Sequence, residues 1–161
     1  MEPTQPKKDD NNEGLAGLLS AVLAQTSVIQ STDNETDSKA NNLMAAALVV
    51  IALIGVQLKA PDGHWYQLSI IAMAVMLLVV GFVIYITRNQ GYYESVVDLD
   101  QHNEYFKMDN EELLAQLISD AAFANTQNAA IIERKQRVFK YTVYIFLVGF
   151  GLGILALFIH A

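Results

Sequence analysis

The sequence predicts an all-α integral membrane protein: three transmembrane helices with a cytoplasmic helical hairpin. Three observations carry that expectation. Apolar stretches cover residues 43–58, 68–87 and 141–161, and each is close to the roughly 20 residues with which a helix crosses a bilayer core. The cations gather on one topological side of those stretches. From Asp109 onward a capping pattern opens a segment with no Gly or Pro until Gly149, so one long helix feeds the last span.

Composition bounds the rest. The chain has 161 residues, 53% of them apolar, and a mean hydropathy of +0.27, which suits one small membrane domain without a large soluble core. Cysteine is absent, so disulfides, thiolate zinc sites and thiol nucleophiles are excluded. A net charge of −7 argues against nucleic acid as a partner. The polar start and the late first apolar stretch do not resemble a secretory signal, so that stretch is expected to stay as a signal-anchor span.

Orientation follows from the basic residues. Lys7, Lys8 and Lys39 precede the first span, and Arg88, Lys107, Arg134, Lys135, Arg137 and Lys140 lie between the second and third. Only Lys59 falls between the first and second. The positive-inside rule then puts the N-terminus and the 88–140 insert in the cytoplasm, and the 59–67 loop and the C-terminus outside.

In chain order, residues 1–14 are polar and charged and read as disordered. Leu15, Leu18, Leu19, Val22 and Leu23 have helical spacing, which predicts an amphipathic helix to about Gln30. Its polar face (Ser20, Gln25, Ser27, Gln30) carries no cation, which favours packing on a protein helix over lying on a membrane surface. Residues 31–38 read as a turn, with Asp37 or Ser38 capping the first membrane helix over 39–60. An external loop at 61–67 holds Pro61 and Gly63, followed by Trp65 and Tyr66 where an aromatic belt belongs. The second span covers 68–88. The cytoplasmic insert, 89–140, begins with mixed aromatic sequence, extended near 95–99, and continues as the long helix from about Asn110. Leu114, Leu117, Ala121, Ala124 and Ile131 form an apolar stripe broken at Asn128; the N-terminal helix or a second copy of the chain would cover it. The third span covers 141–161.

Candidate chemistry is sparse. Asp98, Asp100, His102 and Glu104 alternate and would face one way on a strand, as ligands for a divalent cation. They miss the calcium-loop pattern, with Asn103 in place of Gly and Asp109 in place of the final Glu, and a solvated acidic loop is the simpler reading. Arg134, Lys135 and Arg137, with Tyr141 nearby, suggest an anion site at the inner membrane surface; cations holding the third span against anionic headgroups explain them more simply. Gly149 and Gly153 form a small-xxx-small pair that serves helix association, between chains or within one.

The absences are informative too. No ionisable residue lies in the middle of a span, which argues against a pump or an ion-coupled transporter. There is no phosphate loop and no nucleophile beside a base, so neither an enzyme nor a cofactor is expected. Three helices do not enclose an aqueous channel by themselves, and any pore would be oligomeric.

The chain resembles the small membrane effectors of bacterial Pycsar-type antiphage systems. Asp37-Ser38-Lys39-Ala40 followed by Asn42-Leu43 is similar to that group's D-x-K-A entry into the first span. The stretch from Gly91-Tyr92-Tyr93 to Glu104-Tyr105 is similar to its aromatic segment, and Glu133-Arg134-Lys135-Gln136-Arg137 to the basic step before its last span. The resemblance covers roughly residues 15–160. It implies a bacterial inner-membrane protein, inactive until a cyclic pyrimidine nucleotide made by a partner cyclase appears, that then impairs the membrane to abort infection, acting as a homo-oligomer in the lipid bilayer. No cyclic-nucleotide domain is recognisable; direct sensing would place the anion on Arg134, Lys135 and Arg137, with Tyr92, Tyr93, Tyr105 and Phe106 stacking on the base. The rivals are a non-enzymatic scaffold subunit of a membrane complex and a holin-like lysis protein.

Overall fold

The computed structural model describes the backbone at residues 8–57, 65–88 and 108–160, and side chains at 13–56, 66–88 and 108–156. Among the described residues all regular structure is helical: α1 (Lys8–Gln57), α2 (Trp65–Thr87) and α3 (Asn110–His160). Within them Glu13–Val56, Tyr66–Thr87 and Asn110–Ala156 are long and apolar enough to cross a membrane. At helical rise, the 23 residues of α2 extend about 35 Å, enough for a hydrocarbon core of about 30 Å.

Helix α3 opens on the cap its sequence announces. The Asp109 carboxylate accepts a hydrogen bond from the Glu112 amide at 2.9 Å, and the Asp109 carbonyl accepts one from the Leu113 amide. One of the free donors of the first turn is thereby satisfied.

Helix α1 departs from expectation. Residues 8–14 are helical, and the turn expected at 31–38 does not exist; α1 runs through it as one helix of 50 residues. The segment Ser-Thr-Asp-Asn-Glu-Thr-Asp-Ser is poor in helix formers, but it contains neither Pro nor Gly. Ser31 and Thr32 return their hydroxyls to the Val28 carbonyl, and Glu35 pairs with Lys39 one turn on, at 2.6 Å. Asp33 and Thr36 are buried, so packing overrides weak local preference. Neither Asp37 nor Ser38 is a cap, because the helix has no start there.

The chain forms two compact units. The first comprises Met1–Thr32 and Gly91–Ile132. In it Ala121, Ala124, Asn125, Asn128 and Ile132 are buried on α3. Asn125 reaches α1, its amide donating to the Val22 carbonyl at 3.0 Å and its carbonyl oxygen accepting from the Thr26 hydroxyl at 2.9 Å. The inward line of α3 therefore runs through Asn125, Asn128 and Ile132, with Ile131 of the expected stripe only half-buried, and it meets α1 of the same chain at Asn125.

The second unit comprises Asp33–Gln90 and Glu133–Ala161. Its core is built from Ala40, Ala47, Val50 and Ile54 of α1 and Ala72, Met76, Val79, Val83 and Ile86 of α2. These positions recur at steps of three, four or seven residues, the 3.5-residue period of knobs-into-holes packing. On α3 the same rhythm gives Lys135, Thr142, Gly149 and Ala156, each seven apart and each buried. Both glycines of α3 lie against helices of the same chain. A Cβ on Gly149 would lie 2.8 Å from Val75 Cγ1 of α2, and one on Gly153 would lie 3.3 Å from Ile54 Cδ1 of α1. Helices α1 and α3 run parallel here, since Asp33 meets Lys135 and Ile54 meets Gly153. Helix α2 is antiparallel to α3, with Tyr85 beside Arg134 and Val75 beside Gly149.

Candidate functional site

The chemistry of the second unit concentrates where α1 and α3 carry charge on or beside their buried seam. Counting back seven residues from Ala40 gives Asp33, and back seven from Thr142 gives Lys135. Both therefore point inward. The Lys135 ammonium, 3% exposed, lies 2.8 Å from an Asp33 oxygen that is itself on a 7% exposed side chain. Asp37, one turn later and 31% exposed, sits 3.4 Å from the same nitrogen. Two carboxylates thus face one ammonium, a cluster carrying one net negative charge if all are ionised.

Burying such charges is expensive, and mutual attraction offsets the loss of water only while the geometry holds. Removing the lysine would strand a carboxylate in an apolar seam, a change worth about 3–5 kcal/mol. A device of this kind contributes less to net stability than to fixing one packing arrangement against others.

The neighbouring cations have a different fate. Arg134 and Arg137 are exposed. Arg134 donates to the Tyr85 hydroxyl at 3.1 Å, and Arg137 pairs with Glu133 at 3.0 Å on the helix surface, a contact of small energetic weight. Tyr141 is exposed on the same helix. Of the three cations grouped by sequence as an anion site, two face outward and Lys135 turns in.

The D-x-K-A residues also divide. Asp37 faces Lys135 and Ala40 is fully buried, whereas Lys39 faces out toward Glu35. Tyr92, Tyr93, Tyr105 and Phe106, and the alternating Asp98, Asp100, His102 and Glu104, lie outside the described residues. Among the described residues no cluster of His, Asp or Glu has the makings of a metal site.

Sequence reasoning passed over Asp33, Thr26, Asn125 and Tyr85. For Asp33 the signal was present, since extending the apolar seam of the first span backward by one heptad lands on it. Asn125 sits on a helix stretch whose other inward residues are mostly apolar, the position at which a single amide sets register.

These features define a class: a protein helical throughout its described residues, with three helices able to span a bilayer and a buried polar lock. The family model described as the Pycsar effector protein domain matches residues 21–160, and the chain belongs to that family. It is accordingly an effector of Pycsar antiphage defence, from a family of transmembrane effectors not known as enzymes. No curated protein and no solved structure matches the chain.

Proposed function

We propose that the protein is a membrane-perturbing effector of the bacterial inner membrane, resting until a cyclic nucleotide signals infection and then acting as an oligomer. The observation that carries this reading is the buried Lys135–Asp33–Asp37 cluster, joined to membership of an effector family. A protein that must stay harmless until triggered needs a packing state that is specific and yet releasable. Ionic groups within an otherwise apolar helix seam meet both needs, because they hold one register and lose their advantage if one partner moves.

In this reading the N-terminus and the insert between α2 and α3 are cytoplasmic and the C-terminus is external, following the cations. The nucleotide phosphate is met by Arg134 and Arg137, the outward members of the basic step; Lys135 is already committed to carboxylates. The aromatic residues Tyr92, Tyr93 and Tyr105 supply stacking. Binding shifts the packing of α3 against α1, and because α3 is one helix from Asn110 to His160, the change is felt in its apolar half.

Dye entry into expressing cells, with and without added cyclic pyrimidine nucleotides, tests the proposal. Leakage only with nucleotide is the expected result. Constitutive leakage would favour a holin-like protein, and absence of leakage a scaffold subunit. Reversing the charges of Arg134 and Arg137 should abolish the response while leaving insertion intact; an unchanged response would remove them from the site.

A further inference from the structure

Asp33 and Asp37 stand four residues apart on one unbroken helix, α1, and so lie on one face a helical turn apart. Lys135 of α3 reaches both, at 2.8 Å from the first and 3.4 Å from the second. One ammonium thus has two carboxylate seats, spaced by about 5 Å along the seam. The seats differ in kind. Asp33 is buried, where attraction is strong and loss of water costly; Asp37 is part-exposed, where both effects are smaller. These differences oppose each other, so the two pairings differ by less than either effect alone.

The rest of the second unit suits the movement that would exchange them. Sliding α3 one turn toward the C-terminus of α1 carries Lys135 from the level of Asp33 to that of Asp37. The same slide, in the same direction, brings Gly149 to the level of Ile54, the side chain against which Gly153 now lies. Ile54 therefore meets a glycine in either register. The seam repeats its phase as well. Buried residues of α1 from Asp33 to Ile54, and of α3 from Lys135 to Ala156, fall at steps of three, four or seven, and helices in a 3.5-residue phase refit after half a heptad. Ala40 and Ala47 keep the buried ridge of α1 low. Val75 of α2 is seated at Gly149, so α2 travels with α3.

We propose that α1 and α3 have two registers one helical turn apart. Lys135 pairs chiefly with Asp33 in the packing seen here, and chiefly with Asp37 in the triggered packing. Such a change is a discrete step, because positions between the two set ridge against ridge. The inference rests on the membrane-perturbing reading above and specifies the movement it requires. It also divides roles that a simple ion-pair cluster would share: Asp33 is the main hold at rest, and Asp37 the main hold after release. Removing one or the other therefore has opposite consequences.

The test uses the full-length protein in lipid nanodiscs, with nitroxides on Asn41→Cys and Leu155→Cys, both exposed positions in a chain without native cysteine. Because α1 and α3 run parallel, the slide lengthens the distance between these labels by about 5 Å, one turn of helix. Without nucleotide, Asp33→Asn should move most molecules to the longer distance, whereas Asp37→Asn should keep the shorter one. Dye entry into expressing cells should divide the same way. Asp33→Asn should leak severalfold more than wild type with no nucleotide added; Asp37→Asn should stay tight and fail to answer cyclic cytidine or uridine monophosphate. A broadened distribution in Asp33→Asn with no discrete longer distance would overturn the proposal, and so would the same change in both variants. Should Asp33→Asn fail to fold, Asp37→Asn decides alone, since it keeps the pairing seen here: a normal nucleotide response from it would overturn the second register. The longer distance without leakage would leave the two registers standing and refute the membrane-perturbing reading.

Discussion

The two units use the same pair of long helices and pack them differently. In the second, three helices surround a continuous apolar core with Ile54, Met76, Val79, Val83 and Ile86 almost fully buried. In the first, α1 contributes no fully buried large side chain among the described residues, and it meets α3 through polar groups, the Thr26 hydroxyl and the Val22 carbonyl with Asn125. Leu18, Leu23, Val28 and Phe123 remain more than half or about half exposed there. The comparison teaches that burial stabilises the second unit, whereas the first is held by register and shape with less apolar area withdrawn from water.

Breaking the charge cluster should have the largest effect. Lys135→Met leaves Asp33 buried without its cation and should destabilise the second unit by about 3–5 kcal/mol, read by denaturant unfolding in detergent micelles. Replacing all three groups (Asp33→Asn, Asp37→Asn, Lys135→Met) should recover most of that loss; no recovery would mean that Lys135 acts through shape alone. Next comes Gly149→Val, which drives a side chain into Val75 and should cost about 1–3 kcal/mol. Gly151→Ala, where the added carbon meets nothing within 4 Å, should be neutral or slightly stabilising. Equal costs at the two glycines would refute the packing assigned to α3.

In the first unit Asn125→Ala should cost about 1–2 kcal/mol, from the lost bonds to Thr26 and Val22. Hydrogen exchange should show faster opening of residues 13–32 than of residues 40–54, and the variant should widen that gap. The smallest change is expected of Asp109→Ala, about 1 kcal/mol from the lost cap, confined to exchange in the first turn of α3.

The readable parts of this fold were those whose signal is local. Apolar length gave the three helices, and the Asp109 cap followed by an unbroken run without Gly or Pro gave α3. The continuity of α1 was not local. Residues 31–38 look like a turn because Ser, Thr, Asn and Asp favour turns, and their helix is supported by Lys135, 102 residues away from Asp33. The site failed to read for a related reason. Sequence shows that Arg134, Lys135 and Arg137 are charged, while direction comes from the heptad phase, which turns only Lys135 inward. The same phase turns Gly149 and Gly153 toward α2 and α1 of their own chain. Composition named the residues, and periodicity carried out to its full length would have oriented them.

In the proposed function Lys135 holds the resting packing through Asp33 and Asp37. Dye entry into cells expressing Lys135→Met at wild-type membrane levels, without nucleotide, tests it most directly. Constitutive leakage, suppressed again in the triple neutral variant, is the predicted result. A Lys135→Met protein that stays as tight as wild type and answers nucleotide normally would contradict it.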